Sequence, residues 1–154
     1  DKASFKILVH EIIDSFKELS KKKIIINEDD YKKDYLIAKK IEIIYSLKNI
    51  IDNALKFSSN KIEIFLLSNE NELRIKVIDD GQGFSKQALG FLGDPYINKR
   101  DLDNNKEGLG LGIFIAKVFL ERLSAIINFY NLEDRGAAVD ISWQKKDLIN
   151  LKLI

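Results

Sequence analysis

Three stretches of the chain predict helices from the spacing of their apolar residues. In residues 5–19 and about 39–57, apolar side chains recur at three- and four-residue steps and form one face of an amphipathic helix. The run IFIAKVFLERL, residues 113–123, predicts a third helix directly after a glycine-rich pentapeptide.

Short runs rich in β-branched residues predict five strands. KIIIN (23–27) is the first, and the runs at 61–68 and 72–79 are joined by a short polar connection of hairpin type. Residues 125–143 predict a last hairpin that turns near Arg135-Gly136. The order helix, strand, helix, strand pair, loop, helix, strand pair favours an α+β fold with helices layered on one face of a mixed sheet.

Residues 85–106 show neither pattern and predict a long loop. They contain small, polar and charged residues around the only proline, Pro95, and few large apolar side chains. A long loop inside a compact domain is usually a lid or a binding loop. We therefore expect its order to depend on ligand contacts rather than on a core of its own.

Length and composition narrow the class of protein. The 154 residues, 45% of them hydrophobic, suffice for one domain with a core but not for two. A net charge of +1 gives no long-range attraction for nucleic acid or an anionic membrane, so any phosphate binding has to be local. The absence of cysteine excludes disulfides and thiolate metal sites, which suits a cytoplasmic location.

Two further features concern the parent protein. Lys117 interrupts the apolar run LGIFIAKVFL, so we expect no membrane insertion of this segment. The chain has no methionine and begins at Asp1, so we expect a piece of a longer protein, with an activity that depends on parts outside it.

Two asparagines, Asn49 and Asn53, lie four residues apart in the second helix and therefore share one face. Asparagine is unfavourable in a helix interior, so the pair needs a reason. One interpretation is a solvated polar stripe. The other is that both amide oxygens bind Mg²⁺, which prefers oxygen ligands and is shared with substrate phosphates. Lys56, three residues on, would add a charge for a phosphate.

Two glycine motifs are equally ambiguous when taken alone. Asp79-Asp80-Gly81-Gln82-Gly83 follows a strand and indicates either a common turn or a fixed carboxylate that accepts a hydrogen bond from a base amine. Gly108-Leu109-Gly110-Leu111-Gly112 precedes a helix. It indicates either a flexible start of that helix or a set of backbone N–H groups that bind phosphate oxygens. It matches neither the dinucleotide fingerprint nor the P-loop.

The combination of motifs is far more specific than its parts. From roughly residue 40 to 143 the chain resembles the ATP-binding catalytic domain of bacterial sensor histidine kinases, in the wider group of the gyrase, Hsp90 and MutL ATPases. Asn49–Phe57 resembles the N box, Asp79–Gly83 the G1 box and Gly108–Gly112 the G2 box. Leu92–Tyr96 resembles the F box less closely, since the usual phenylalanine pair is missing. The segments GDPYINKR, GLGLGIFIAKVFLERL and GAAVDISW look closest to redox-responsive kinases of the RegB/PrrB type.

This resemblance implies a two-layer α/β sandwich of the Bergerat type, with ATP and Mg²⁺ as ligands and an ATP lid at about 85–107. Asn49 and Asn53 would hold Mg²⁺, Asp79 would read the adenine amine, and the glycines would allow close passage of the nucleotide and the lid. The implied nucleotide-binding residues are Asn49, Asn53, Lys56, Phe57, Asp79, Gly81, Gly83, Lys99, Arg100, Gly108, Leu109, Gly110, Leu111 and Gly112.

Some residues keep two interpretations. Lys99, Arg100 and Lys106 either pair with phosphates from the lid or form a solvated charge run. The only histidine, His10, stands in a His-Glu pair like the one that opens the phosphoacceptor motif of these kinases. The family's proline is absent, and only 39 residues separate His10 from Asn49, too few for the acceptor hairpin. We therefore expect an ordinary histidine on a helix surface.

The resemblance implies that the chain donates the γ-phosphate of Mg-ATP to a histidine on a separate dimerisation and phosphoacceptor domain, with a response regulator downstream. A nucleotide-binding module without transfer remains an alternative, as does an ATPase or serine kinase of the same fold. The last would need an acid beside Asn49, where Lys48 stands. We expect the isolated domain to be a cytoplasmic monomer whose parent chain is anchored in the bacterial inner membrane.

Overall fold

A mixed sheet of five strands forms the centre of the domain. In spatial order the strands are β2 (Lys23–Asn27), β4 (Lys61–Ser68), β5 (Glu72–Asp79), β7 (Ala137–Gln144) and β6 (Ile126–Asn131). β2 pairs with β4 in parallel, and the other neighbours are antiparallel. The computed structural model describes residues 1–93 and 110–154.

Helices cover one face of this sheet, and the other, here called the open face, is partly exposed. In β4, Ile62, Ile64 and Leu66 are buried while the residues between them are partly exposed, as the two-residue side-chain period of a strand requires. The open face carries polar pairs such as Arg74 with Asp140. The predicted arrangement, with helices layered on one face of a mixed sheet, is thus observed.

Five helices are found in the described part of the chain. They are α1 (Phe5–Lys17), α2 (Ile41–Phe57), α3 (Lys86–Gly93), α4 (Gly110–Arg122) and α5 (Lys145–Asn150). Buried apolar residues of α1, α2 and α4 share one core with the covered face of the sheet. No helix within 1–93 and 110–154 is both long and apolar enough to cross a membrane.

Two short strands and the last helix were not predicted. β1 (Lys2–Ser4) pairs antiparallel with β3 (Leu36–Ala38), beside the main sheet. Three residues are too few to show a two-residue alternation of apolar and polar side chains. α5 has six residues and contributes Leu148 as its buried residue, which is too little for a helical period.

The start of the predicted lid differs from our expectation. Residues 86–93 form α3 rather than loop, and the amide of Ala88 donates a hydrogen bond to Oγ of Ser85 at 3.0 Å, which caps the helix. Ala88 and Leu92, four residues apart, are buried in a small apolar cluster with Ile113 of α4. This segment therefore has an apolar anchor of its own. The rest of the predicted lid, 94–107, lies outside the described residues.

Candidate functional site

A cleft of about 270 Å³ opens where the carboxyl ends of α2 and β5 meet the β6–β7 turn. Five residues predicted from the sequence line it together: Asn53, Lys56, Phe57, Asp79 and Gly83. The sequence motifs on two separate elements are therefore parts of one site. The other lining residues are Ser59, Gln82, Phe84, Ser85, Ala88, Arg135 and Ala137.

Asp79 is the buried carboxylate of this cleft, with 7% of its surface exposed. Its Oδ1 accepts hydrogen bonds from the amides of Gly81 at 2.8 Å and Ala137 at 3.3 Å. Burial raises the pKa of Asp79 above its usual value, and these two bonds oppose the shift only in part. Within the described residues no donor is bonded to Oδ2, so this oxygen can accept a hydrogen bond from a ligand amine.

Gly81 and Gly83 allow the G1 box to pass close to the end of α2 and to the side chain of Asn131. A Cβ on Gly81 would lie 2.0 Å from the carbonyl oxygen of Phe57, at the end of α2. Gly83 has φ +86°, a left-handed conformation that favours glycine. Both glycines are therefore required by the path of the backbone, and Gly83 itself lines the cleft.

The loop after Gly83 is held by Asn131, which the sequence analysis did not identify. The amide of Phe84 donates to Oδ1 of Asn131 at 2.7 Å, and Nδ2 of Asn131 donates to the carbonyl oxygen of Phe84 at 2.8 Å. The side-chain amide thus makes the two backbone hydrogen bonds that a neighbouring strand would otherwise make, and it fixes Phe84, which lines the cleft. An asparagine at the end of a predicted strand gave no sign of this long-range contact.

The connection between α2 and β4 is fixed by Asp80. Burial acts to raise the pKa of Asp80, but hydrogen bonds from the amides of Asn60, Lys61 and Ser59 outweigh it and lower the pKa below its usual value. Asp79 and Asp80 thus differ in role, because the first faces the cleft and the second holds the backbone beside it.

The two asparagines of α2 have different surroundings. Asn53 is half-buried and lines the cleft. Asn49 is not among the lining residues, and its Nδ2 donates to the carbonyl oxygen of Tyr45 at 2.9 Å. Its Oδ1 lies against Gly112 of α4, so closely that a Cβ there would be only 2.2 Å away. The structure therefore places the second asparagine of the N box in the cleft and the first against the G2 box.

The donor set near the cleft suits a cation that is shared with phosphates. Within the described residues, no group of three or more His, Cys, Asp or Glu side chains forms a metal site. The side-chain oxygen of Asn53 accepts no hydrogen bond from the described residues. Mg²⁺ accepts amide oxygens and fills its remaining positions with waters and phosphate oxygens, so these residues fit it only together with a nucleotide.

The remaining predicted residues lie around the rim or outside the described part. Lys56 is paired with Asp52 at 3.0 Å and 69% of its side chain is exposed, so its ammonium can reorient towards a ligand. Phe57 is 41% exposed and presents an apolar surface to the cleft. Leu111 is 54% exposed, and Gly110 begins α4. Lys99, Arg100, Lys106, Gly108 and Leu109, and Asp94, Pro95 and Tyr96 of the F box, lie outside the described residues.

His10 lies on α1 and does not line the cleft. Its Nε2 is 2.7 Å from Oε1 of Glu28, whose other oxygen is 3.0 Å from the ammonium of Lys6. This partly exposed polar cluster on the helix surface agrees with the prediction of an ordinary histidine.

The same chain is similar to known sensor kinases. It is 31% identical to Sensor histidine kinase RegB of Cereibacter sphaeroides, over 74% of this chain and 28% of that protein. It is 29% identical to a putative sensor histidine kinase, NtrY-like, of Rickettsia felis, over 66% of this chain and 16% of that protein. The chain therefore spans less than a third of the length of these curated relatives.

Solved structures show the same fold. The catalytic domain of histidine kinase ThkA superposes with a TM-score of 0.74 at 18% identity, over 94% of this chain and 96% of that chain. The mycobacterial sensor histidine kinase MprB gives 0.72 at 14% identity, over the same shares of the two chains. The predicted fold class is thereby confirmed.

The family itself is established by a sequence profile rather than by a single relative. Residues 38–147 match the profile described as histidine kinase-, DNA gyrase B-, and HSP90-like ATPase, which covers the N box, the G1 box and the G2 box. The resemblance predicted from these three motifs is confirmed. The chain therefore belongs to this ATPase family, and its domain is of the kind that forms the catalytic, ATP-binding part of sensor histidine kinases.

Proposed function

We propose that the cleft binds Mg-ATP and presents the γ-phosphate to a histidine of a separate dimerisation and phosphoacceptor domain. The observation that carries this proposal is the meeting of Asp79 and Asn53 in one cleft, from the end of β5 and from α2. A buried acceptor for a base amine and an oxygen ligand for a cation are the two contacts that distinguish Mg-ATP from a plain phosphate ligand.

The adenine would enter between Phe57 and the G1 loop. Oδ2 of Asp79, which has no donor among the described residues, would accept a hydrogen bond from the exocyclic amine, while Phe57 would supply an apolar surface for the ring. Guanine carries an oxygen at the corresponding position, and two acceptors cannot share a hydrogen bond. This geometry favours ATP over GTP.

The phosphates would extend from Asn53 towards the start of α4. The first amides of a helix carry unpaired N–H groups and a partial positive charge, which favour phosphate oxygens. Lys56 lines the cleft and its side chain is largely exposed, so its ammonium could exchange Asp52 for a phosphate. When bound at Asn53, and at Asn49 after its side chain turns from Gly112, Mg²⁺ would neutralise charge on the phosphates.

In phosphoryl transfer this domain would position the ATP and neutralise the charge on its phosphates, and it would form no covalent bond to the phosphate. The acceptor imidazole nitrogen forms a bond to the γ-phosphorus as the bond to the β-γ bridging oxygen breaks, and ADP leaves. The nucleophile belongs to the acceptor domain. No residue of this chain has to take up a covalent phosphate.

An ATPase or serine kinase of the same fold would need a group that removes a proton from water or a hydroxyl. On α2 the residue that precedes Asn49 is Lys48, and the residue one turn earlier is Tyr45, whose carbonyl is bonded to Asn49. Neither is a carboxylate. This favours transfer to histidine over hydrolysis.

The test is a transfer assay with purified components. The domain is mixed with γ-labelled ATP, Mg²⁺ and a separately produced acceptor domain of the same parent protein. We expect an acid-labile label on the acceptor that requires this chain. An unlabelled acceptor, with a domain that does bind Mg-ATP, would contradict transfer and favour the binding module.

A further inference from the structure

Arg135 also lines the cleft, and none of the contacts proposed for Mg-ATP involves it. It belongs to the turn between β6 and β7, and its side chain is held at two places. Nε donates to the carbonyl oxygen of Asp80 at 2.8 Å, and Nη2 donates to Oγ of Ser59 at 2.7 Å. These bonds use two of the five guanidinium N–H groups and fix its plane between β5 and the α2–β4 connection.

The turn that carries Arg135 is itself fixed on the side of Asp79. Gly136 has φ +104°, and a Cβ there would lie 2.0 Å from the carbonyl oxygen of Asp79. The next residue, Ala137, donates its amide to Oδ1 of Asp79. Arg135 is therefore anchored next to the carboxylate assigned to the base amine.

The end of the cleft where the phosphates would bind lies away from Arg135. Asn49, which lies against Gly112 at the start of α4, precedes Phe57 by eight residues of α2. At a rise of 1.5 Å per residue, the two positions are about 12 Å apart along the helix. Arg135 is bonded to Ser59, just beyond the Phe57 end. It is thus placed at the base end and not at the phosphate end.

We propose that Arg135 contacts the adenosine part of the nucleotide, with its fixed planar guanidinium covering the outer side of the base. The proposal rests on the nucleotide binding proposed above. A guanidinium stacks on an aromatic π face by a cation–π contact, and its geometry is prepared in advance by the bonds to Ser59 and Asp80. A basic residue beside a nucleotide otherwise suggests a phosphate contact, so the two roles need to be separated.

The experiment compares ATP with adenosine, which has no phosphate. Affinities are measured by calorimetry for ATP and by NMR titration for adenosine, in the unmodified chain and in Arg135→Gln. We expect Arg135→Gln to weaken both ligands by the same factor, about fivefold. Lys56→Gln removes the ammonium proposed for a phosphate, so it should weaken ATP more than adenosine. Arg122→Gln, an exposed arginine in the last turn of α4, is the matched control and should change neither.

Two further variants separate contact from scaffold. Arg135→Lys keeps the charge but loses the planar group and its two anchoring bonds, so it should regain at most part of the affinity lost in Arg135→Gln. Ser59→Ala removes one anchor and keeps the guanidinium, so its loss should be smaller than that of Arg135→Gln, with unchanged melting temperatures in both.

The proposal would be overturned by an adenosine affinity that is unchanged in Arg135→Gln, whether or not ATP affinity falls. Full affinity in Arg135→Lys, or a Ser59→Ala loss as large as that of Arg135→Gln, would also overturn it. An unmodified chain that binds neither ligand would overturn the proposed function as well. ATP binding that is normal in Arg135→Gln would overturn only the role of Arg135.

Discussion

Asp79 combines burial with an incomplete set of hydrogen bonds, and both properties have measurable consequences. Its Oδ1 has two backbone donors, while Oδ2 has no donor among the described residues. A carboxylate in this position costs stability in the free protein, because burial disfavours its charged form. That cost is offset when a ligand amine binds.

Asp79→Asn should therefore weaken ATP binding and change the pH dependence of stability. The amide can place a donor against the adenine amine, at a cost of about 1–3 kcal/mol in calorimetry. The raised pKa means that folded Asp79 is most favourable when protonated, so this contribution is present below the ordinary value of 3.8 and is lost as the pH rises through the higher folded pKa.

Urea unfolding of both proteins over a pH series measures this loss. The free energy of unfolding of the unmodified chain should fall relative to that of Asp79→Asn as the pH rises through the acid range. A constant difference from pH 3 to 7 would contradict the burial of a charged carboxylate.

Asn53→Ala should weaken the Mg²⁺-dependent part of ATP affinity and leave the fold intact, since Asn53 is half-buried and fills no core volume. Calorimetry with and without Mg²⁺ measures this difference. Asn71→Ala, an exposed asparagine in the β4–β5 turn, is the matched control. The same Mg-ATP affinity in Asn53→Ala and in the control would refute the metal role.

At the scale of elements, the close contact between α2 and α4 depends on a missing side chain. Gly112 allows Asn49 to lie against the first turn of α4. Such a contact joins the N box to the G2 box directly. The start of α4, where phosphates are expected, is therefore placed by the packing of a glycine on a polar residue of α2.

Gly112→Ala should displace the side chain of Asn49 from its place against this first turn, because the new Cβ would lie 2.2 Å from Oδ1 of Asn49. We expect weaker ATP binding by about tenfold, which corresponds to 1.4 kcal/mol, and a lower melting temperature. Gly90→Ala is the control in α3, where a Cβ meets nothing within 4 Å and helix propensity favours alanine by about 1 kcal/mol. Unchanged ATP affinity in Gly112→Ala would show that this packing does not matter for the site.

The long elements could be predicted from the sequence because each buries one regular face. α1, α2, β4 and β5 have apolar residues at the period of their own secondary structure, and their observed bounds are close to the predicted ones. α3 was missed because it has only eight residues, two of them glycine, and its two buried residues make a single four-residue step, too short to show a helical period.

The site could be predicted where its chemistry lies in contiguous motifs, and not where it depends on distant contacts. Asp79 and Asn53 stand in short, distinctive stretches. Asn131 and Arg135 act through hydrogen bonds to residues 47 and 76 positions away in the sequence, respectively, and neither stands in a motif. The predicted turn at Arg135-Gly136 was right in place, but a turn prediction does not reveal which surface it meets.

At the scale of the whole molecule, the central question is whether the described domain acts on itself. His10, which lies on α1, is bonded to Glu28 and is not part of the cleft. We expect incubation with γ-labelled ATP to leave the isolated chain unlabelled, and His10→Gln to leave transfer to an added acceptor domain unchanged. An acid-labile label on this chain alone, lost in His10→Gln, would contradict the assignment of His10 as an ordinary surface residue.

The most direct test of the account is a parallel calorimetric titration of the unmodified chain with ATP and GTP in the presence of Mg²⁺. The cleft built around Asp79 and Asn53 predicts that ATP binds in a Mg²⁺-dependent way and that GTP binds at least about fivefold more weakly, since an unpaired acceptor costs about 1 kcal/mol or more. Equal affinities for ATP and GTP, or no binding of either nucleotide, would contradict it.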